Sequence, residues 1–397
     1  MRYVLTNAKV IQNDFIRDGF VVVEDGKIIG IERSKPDFGS NGVTEIDLGG
    51  NYLSPGFIEL HAHGAGGADF FDGTVEAFET ASKMHMIHGT TTIAPTPGAY
   101  SMAEFKKCID AYKKTQAKVK DGPNLGGIHF EGPYLSLGQR GAFSPESIKN
   151  PSPAEYHEVV EYAEGVISRW TAAPELPGAL AFGDYVCAHG ILPTIGHSEA
   201  DYAQVVTAVA HGYKQVTHLY SGCSMVVRRG GFRFPGVVES AYLIDDLAVE
   251  LIADGCHLPP ELLRMVYKIK GPDKISLTSD SMCYAGTDVT GEIVDKYDGV
   301  SKVLIEDGVA KMPDRSGFVG SIVTNDRMLQ VMNQDAGVSL VDCVRMMCLT
   351  PARTMGIDKK TGSIEVHKDA DLAVFDRDFN VKGVMVKGEP RTGVFCQ

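Results

Sequence analysis

The chain has 397 residues, of which 44% are hydrophobic and 22% are charged, and its formal net charge is −13 at pH 7. This apolar content is too high for a disordered protein, and the acidic balance argues against nucleic acid or an anionic membrane as a partner. No uninterrupted run of about 18 apolar residues occurs, so no membrane-spanning helix is expected.

The N-terminal segment and the cysteines both indicate a cytoplasmic protein. Residues Met1–Asn7 lack the apolar core of a secretory signal peptide. The eight cysteines are scattered and form no Cys-x-x-Cys pair, which indicates reduced thiols and neither a disulfide framework nor a structural zinc site. At this length we expect one large barrel with an appendage, or two domains.

Both ends of the chain have the composition of β-strands. Phe20–Glu24 and Lys27–Glu32 flank an Asp-Gly turn, which predicts a hairpin. Two similar apolar runs occur near the C-terminus. Neither end has enough apolar surface to form a core alone, so residues 1–54 and 355–397 are predicted to pair as a small β-sandwich domain.

Residues 55–354 alternate short apolar runs with longer segments of helical spacing, and the last part, residues 324–350, is predicted to be helical. Eight strand–helix units over about 230 residues predict a (β/α)8 TIM barrel, an α/β fold. No glycine-rich nucleotide fingerprint follows the first strand. The predicted strands are Phe57–Leu60, Thr91–Pro95, Gly127–Phe130, Arg169–Ala172, Leu192–Ile195, Gln215–Thr217, Val249–Ala253 and Ile275–Thr278.

Histidines and carboxylates follow five of these strands at their C-terminal ends. In a barrel such ends converge on the face where active sites lie. Imidazole and carboxylate groups are ligands for borderline metals such as zinc or iron, so the sequence predicts a centre for one or two ions. Alternation along the first strand places its two histidines on the same side. The residues are His61 and His63 (strand one), Glu131 (three), His197 (five), His218 (six) and Asp280 (eight).

Hydrolysis of a C–N bond is the chemistry that this set of side chains predicts. A bound divalent ion lowers the pKa of a water molecule and polarises a carbonyl group. Asp280 can accept the proton of that water and return it to the leaving nitrogen. The other histidines are expected to be surface or packing residues, and His129 is expected to pack inside the barrel.

The motifs that carry these residues resemble the N-acetylglucosamine-6-phosphate deacetylases of the amidohydrolase superfamily. The resemblance runs from about residue 50 to Gly388, and it implies the barrel fold, removal of an acetyl group from an amino-sugar phosphate, a divalent metal (zinc, with iron as the alternative) and a homodimer. The matching motifs are PGFIELHAHG at 55–64, HFEGPYL at 129–135, GHS at 196–198, THLY at 217–220, IADGCH at 252–257 and Asp280.

The resemblance also implies a role for each matching side chain. The main metal site corresponds to Glu131, His197 and His218, and a second site, present in some members, corresponds to His61 and His63. The general base and acid corresponds to Asp280, and a substrate-binding histidine corresponds to His257.

An arginine cluster follows the sixth strand, and the resemblance assigns Arg233 to the sugar phosphate. Arg228, Arg229 and Arg233 lie within six residues of one another in an otherwise acidic chain. Guanidinium groups bind phosphate bidentately and stay charged, which supports the assignment on physical grounds. The alternative for Arg228 and Arg229 is an ordinary solvated loop.

Two positions depart from the family pattern. Phe143 occupies a position where the family usually has a histidine that helps to polarise the acyl carbonyl, and loss of such a donor costs a few kcal/mol of transition-state stabilisation. Ser221 and Gly222 replace a usual Asn-Ala pair beside the phosphate, where backbone amides remain available. Both changes affect which substrate is expected, and neither affects the predicted fold or metal.

Three alternatives remain open at this stage. The first is a related substrate, such as the galactosamine epimer. The second is another amidohydrolase acting on a C–N bond; members that resemble urease or dihydroorotase bridge two metals with a carboxylated lysine at the end of strand four, and residues 171–175 (TAAPE) contain no lysine. The third is a non-catalytic binding protein, which is disfavoured because all six polar side chains are retained.

Overall fold

Strands from the two ends of the chain form one eight-stranded sheet. The computed structural model describes residues 1–34, 42–98, 100–294 and 300–396. Tyr52–Pro55 joins the two ends, since it pairs antiparallel with Leu372–Phe375 and parallel with the end of Arg2–Ile11. The strands in sheet order are Glu389–Gly393, Val381–Val386, Leu372–Phe375, Tyr52–Pro55, Arg2–Ile11, Ile16–Glu24 and Lys27–Glu32, with Val43–Asp47 also paired to Arg2–Ile11.

The hairpin predicted around Asp25-Gly26 is confirmed. Ile16–Glu24 runs antiparallel to Lys27–Glu32. Gly26 has φ +82° and Asp25 φ +47°, the left-handed region that the Asp-Gly pair tolerates at a tight turn. Leu5, Val21 and Met385 are among the buried side chains that fill the core of this end sheet.

The middle of the chain forms curled parallel sheets whose strands alternate with helices. All eight predicted strands are present, with bounds within two residues of those expected. One parallel sheet has the order Asn124–Leu125, Thr90–Pro95, Phe57–Ala62, and the other has the order Ile128–Glu131, Ile167–Ala172, Leu192–Ile195, Gln215–Val216, Ala248–Ile252, Ile275–Thr278.

Helices connect the parallel strands and pack on their outer side. Ser101 and Glu104 form a capping box at the start of the longest of them, each accepting from the backbone amide of the other. Trp170, Phe130 and Phe182 belong to the buried cluster that the helices enclose. The helices are Val75–Ile87, Met102–Lys118, Pro153–Ala163, Ala179–Ala188, Tyr202–Ala210, Val237–Leu243, Pro260–Lys270, Asn325–Gln330, Leu340–Met347 and Leu349–Thr354, with a π-helical turn at Val331–Asp335.

Two antiparallel elements were not expected from the sequence. Val227–Arg229 pairs with Phe232–Phe234 in a hairpin that contains the arginine cluster. A four-stranded sheet consists of Gly291–Val294, Lys302–Glu306, Val309–Lys311 and Phe318–Ser321. The two strands of the hairpin and Gly291–Val294 are short and largely exposed, so their hydrophobic alternation is weak. Lys302–Glu306 and Val309–Lys311 do alternate on either side of Asp307-Gly308, a hairpin signal that was available in the sequence.

Across the described ranges, no helix is both long enough and apolar enough to cross a membrane.

Candidate metal centre

Glu131 lies at the centre of a cluster of histidines at the C-terminal ends of the parallel strands. Its Oε1 lies 3.0 Å from His197 Nε2 and 2.7 Å from His218 Nε2. Its Oε2 lies 3.5 Å from His61 Nε2 and 3.2 Å from His63 Nε2. The fold therefore brings together four of the predicted histidines around one buried carboxylate.

Asp280 lies on the His61 and His63 side of the cluster. Its Oδ1 is 3.4 Å from His61 Nε2 and 3.2 Å from His63 Nε2. The backbone amide of Asp280 donates to the carbonyl oxygen of His61 at 2.9 Å, which ties the end of the eighth strand to the first. All six residues that the sequence singled out thus lie in one site.

Backbone carbonyls orient three of the imidazole rings. The Nδ1 atoms of His63, His197 and His218 lie 2.8, 2.7 and 3.0 Å from the carbonyl oxygens of Thr96, Gln139 and Ser221 respectively. A neutral ring that donates from Nδ1 presents the lone pair of Nε2 to the centre of the cluster. This arrangement is the one by which proteins orient metal-binding histidines.

Left-handed backbone conformations turn three of these side chains into the site. His197, His218 and Asp280 each lie two residues beyond the end of a strand and have φ values of +48°, +29° and +48°. Such values are strained for residues other than glycine, and strain of this kind concentrates at functional sites.

The charges of the cluster stabilise one another in the metal-free protein. Burial opposes ionisation of Glu131 and Asp280, yet the neighbouring histidines hold the pKa of each carboxyl below its usual value. Burial lowers the pKa of His61, but Glu131 and Asp280 outweigh this effect and raise the pKa to about 9. Binding of a cation would replace the proton that His61 otherwise carries.

The donor set fits a borderline divalent ion. Metal–ligand bonds of about 2.0–2.1 Å in tetrahedral geometry place two ligand atoms about 3.3 Å apart, and the contacts of His61 and His63 with Glu131 and Asp280 span 3.2–3.5 Å. Within the described residues, His61 Nε2 is a buried nitrogen with no hydrogen-bond partner. Two groups have the spacing of ligand sets: His61, His63 and Asp280, and His61, Glu131 and His218.

Three buried charged residues below the cluster were missed by sequence reasoning. Glu250 Oε2 faces His61 Nδ1 at 3.5 Å, and Arg169 pairs with Glu250. Glu59 accepts from Thr278 Oγ1 at 2.6 Å and from the His61 amide at 3.0 Å, and burial raises its pKa to about 7. A charged residue inside an otherwise apolar strand was the signal that could have identified them.

The ring of His257 is held by a carboxylate, whereas the side chain of Arg233 is exposed. Asp254 Oδ2 accepts from His257 Nδ1 at 2.7 Å, and the ring packs edge-on against Phe318 with centroids 4.8 Å apart. Arg233 is exposed on the Val227–Phe234 hairpin. Arg229 is also exposed; its guanidinium lies 3.7 Å from Asp201 and over the ring of Phe234.

The two departures from the family pattern lie against His197 and His218. The Phe143 ring packs edge-on against His197, with centroids 5.1 Å apart. The Ser221 carbonyl accepts from the His218 ring. The Ser221 amide donates to the His218 carbonyl at 2.9 Å, so this amide already has a hydrogen-bond partner. Gly222 has φ +56°, and a Cβ there would lie 2.7 Å from His197 Nδ1. Glycine is therefore the residue that this close approach allows.

Residues 52–391 match the Amidohydrolase family. The chain is 31% identical to N-acetylglucosamine-6-phosphate deacetylase of Vibrio furnissii over 373 residues, which cover 94% of this chain and 90% of that protein. It is 27% identical to N-acetylgalactosamine-6-phosphate deacetylase of Shewanella sp. (strain ANA-3), with 97% and 95% of the two chains covered.

Solved structures agree with the relatives found by sequence. The crystal structure of N-acetylglucosamine-6-phosphate deacetylase from Pasteurella multocida superimposes with a TM-score of 0.90 at 30% identity, covering 99% of this chain and all of that one (100%). The expected superfamily fold is therefore confirmed.

Proposed function

Since this chain belongs to the Amidohydrolase family, we propose that it is a metal-dependent hydrolase that removes the acetyl group from N-acetylglucosamine 6-phosphate. The products are glucosamine 6-phosphate and acetate. The observation that carries this proposal is the convergence of Glu131, the four histidines and Asp280 at the strand ends, within which His61, His63 and Asp280, and His61, Glu131 and His218, have the spacing of ligand sets. Relatives with this activity that match nearly the whole chain support it.

Glu131, His197 and His218 are proposed to hold the main ion, and His61 and His63 a second ion. Zinc is the proposed metal and iron is the alternative, because imidazole and carboxylate donors suit both. When bound, the ion supplies a water molecule of lowered pKa and polarises the acyl carbonyl.

Asp280 is proposed to move the proton. Its carboxylate lies at the edge of the cluster, and its neighbours hold it ionised. It accepts a proton as the oxygen of water adds to the acyl carbon, and it returns that proton to the sugar nitrogen as the C–N bond breaks.

The sugar phosphate is proposed to be bound by His257 and Arg233, with Arg229, Ser221, Gly222 and Phe143 also lining the substrate site. Asp254 fixes the ring of His257, which supports a positioning contact with the substrate. Arg233 provides the local cation that a protein with net charge −13 needs for an anionic ligand.

The galactosamine epimer is the second candidate substrate. The relative from Shewanella acts on N-acetylgalactosamine 6-phosphate by its name, and Phe143 replaces the histidine that the family usually has. Acetate release from both 6-phosphates, from both unphosphorylated sugars and from an unrelated cyclic amide tests the proposal. Deacetylation of neither phosphate would contradict it, and a preference for one epimer would decide between the two.

Metal content is the second part of this test. Elemental analysis of the purified protein is expected to find one or two transition-metal ions per chain, and removal with a chelator is expected to abolish acetate release until zinc or iron is restored. Full activity of protein stripped of metal would contradict the proposal.

The wider architecture is proposed as a (β/α)8 barrel over residues 55–354 with a β-sandwich domain of residues 1–54 and 355–397. The hydrogen bond from the Asp280 amide to the His61 carbonyl supports closure of the barrel. Pairing of strands from both chain ends supports the second domain. An experimental structure would test both.

A cytoplasmic homodimer is the proposed state of the protein. All eight cysteines are free, which supports a reducing compartment. The hairpin Val227–Phe234 and the residue before it expose Val226, Val227 and Phe232, which supports a surface covered by a second copy. Light scattering of wild type and Phe232→Ser tests the dimer: a monomeric wild type would contradict it.

A further inference from the structure

Tyr100 lies in the loop between the second parallel strand and the helix Met102–Lys118, separated from His197 of the metal centre by the ring of Phe143. Its ring packs edge-on against Phe143, with centroids 6.2 Å apart, and Phe143 in turn packs against His197. Its other neighbour is Phe71, also at 6.2 Å. The amide of Phe70, the preceding residue, donates to the His63 carbonyl at 2.8 Å. Ring contacts therefore connect Tyr100 to His197 through Phe143, and to the segment bonded to His63 through Phe71.

The backbone of Tyr100 is fixed at both its amide and its carbonyl. The amide donates to Glu104 Oε2 at 3.1 Å, and Lys149 Nζ donates to the carbonyl oxygen at 2.7 Å. Lys149 is itself paired with Glu155 at 2.6 Å. A side chain on a backbone held in this way is preorganised, which is what a donor in an active site requires.

The hydroxyl of Tyr100 has no hydrogen-bond partner in any of the ranges that the structure describes. It lies against the loop at Gly98, where a Cβ would approach the hydroxyl oxygen to 2.8 Å. Burial raises the pKa of Tyr100, and the Glu131 and Asp69 carboxylates add to this effect, so the phenol keeps its proton at neutral pH. The Tyr100 side chain is half-buried, and an unpaired hydroxyl close to a site is available to a ligand.

The neighbouring rings cannot supply that donor. Phe143 has no polar atom. When neutral, His63, His197 and His218 carry their single ring proton on Nδ1, where a backbone carbonyl accepts it. His257 is held in the same way by Asp254. Addition of water to an acyl carbon places negative charge on the carbonyl oxygen, and a positioned donor to that oxygen is among the largest contributions to catalysis.

We propose that Tyr100 is a catalytic residue whose hydroxyl donates a hydrogen bond to the acyl oxygen of the substrate. This inference rests on the proposed function. As the oxygen of water bonds to the acyl carbon, the C=O electron pair moves to the oxygen, which accepts the O–H···O bond, and Asp280 takes the proton of the water. When this electron pair re-forms the C=O bond, the C–N bond breaks and Asp280 protonates the amine. Tyr100 keeps its own proton throughout.

Tyr100→Phe tests the proposal, with Tyr267→Phe as the matched control. The Tyr267 hydroxyl donates to Asp342 between two outer helices, so its loss should leave activity unchanged. Tyr100→Phe is expected to lower kcat by about 10²–10³-fold, the usual effect of losing one such donor. KM is expected to change by less than about threefold, because the bond strengthens only in the transition state. Metal content and melting temperature should match wild type.

A second variant separates the donor role from general damage to the loop. Phe143→His places an imidazole against the Tyr100 ring, and it is expected to raise kcat at least about tenfold in the Tyr100→Phe background, a larger factor than in the wild type. The rate of acetate release by the wild type tests the proposed function. The ratios of kcat among the variants test the role of Tyr100. Retention of more than about a third of kcat in Tyr100→Phe, or equal effects of Phe143→His in both backgrounds, would overturn the proposal.

Discussion

The imidazole of His61 is backed by a carboxylate, whereas the other histidines of the centre are backed by backbone carbonyls. His61 Nδ1 lies 3.5 Å from Glu250 Oε2, and both atoms lack a hydrogen-bond partner within the described part of the chain. Glu250 is held by Arg169, which also donates to the Leu60 carbonyl at 2.7 Å and to Gln215 Oε1 at 3.0 Å. A carboxylate behind a metal-binding histidine fixes the ring and raises its basicity.

Glu250→Gln is therefore expected to weaken binding of the second ion and to destabilise the fold. Loss of a group behind a ligand typically lowers metal affinity about 10- to 100-fold. Leaving Arg169 buried without its partner is expected to cost about 3–5 kcal/mol in the free energy of unfolding. Metal titration and urea unfolding measure the two effects. Glu239→Gln, which alters only a capping carboxylate at Gly236, is the control; a Glu250 variant indistinguishable from it would refute the role.

Asp280→Asn is expected to keep the fold and most of the metal while abolishing turnover. The amide is similar in shape to the carboxylate but accepts no proton, and general acid–base catalysis contributes about 10²–10⁴-fold to the rate. Acetate release and elemental analysis of the same preparation provide the measurement. If more than about a tenth of kcat remained, Asp280 would not be the proton carrier.

Glu131→Ala and His197→Ala are expected to release the main ion. Three protein ligands hold a catalytic metal, and removal of one leaves too few. His61→Ala is expected to affect at most a second ion, since its Nε2 faces Asp280 and Glu131 Oε2 and not the Oε1 that contacts His197. Inductively coupled plasma analysis distinguishes these outcomes. Full metal content in His197→Ala would mean that the main site is wrongly assigned.

Arg233→Ala is expected to lower kcat/KM for the phosphorylated substrate much more than for its unphosphorylated counterpart. A charge-assisted contact contributes roughly 1.5–3 kcal/mol, so kcat/KM should fall about 10- to 150-fold on the 6-phosphate. Arg233→Lys should recover part of this, because a point charge replaces a planar fork. Arg228→Ala, across the same hairpin, is the control. Equal losses on both sugars would show that Arg233 does not bind phosphate.

His85 is expected to make the fold sensitive to mild acid. Burial lowers its pKa from 6.5 to about 4, and its Nε2 lies near the Gly64 carbonyl and Ser281 Oγ. As pH falls below 6.5 the unfolded chain takes up the proton first, so stability present above pH 6.5 is lost as pH falls toward 4. The loss by pH 5 is roughly 2 kcal/mol.

Urea unfolding of metal-free wild type and His85→Gln at pH 7 and pH 5 measures this term. The glutamine variant keeps an amide near Gly64 but has no proton to gain, so its stability should fall less between the two pH values. Equal falls in the two proteins would assign the acid sensitivity to other groups.

Periodicity and strand-end chemistry were sufficient to predict the main features from sequence alone. The eight parallel strands were located because buried parallel strands form short apolar runs, and the helices between them set the spacing. The ends of those strands place His61, His63, Glu131, His197 and Asp280 on a common face. Because the C-terminal ends of barrel strands converge, a local strand pattern is enough to predict which side chains share a site.

Contacts between distant segments were decided only by the tertiary structure. The pairing of Glu250 with Arg169, the position of Tyr100 between Phe71 and Phe143, and the close approach of Gly222 to His197 each join residues far apart in the chain. Local sequence specifies which residues face inward, but which inward-facing residues meet depends on strand register and loop packing, and those are set by the whole chain.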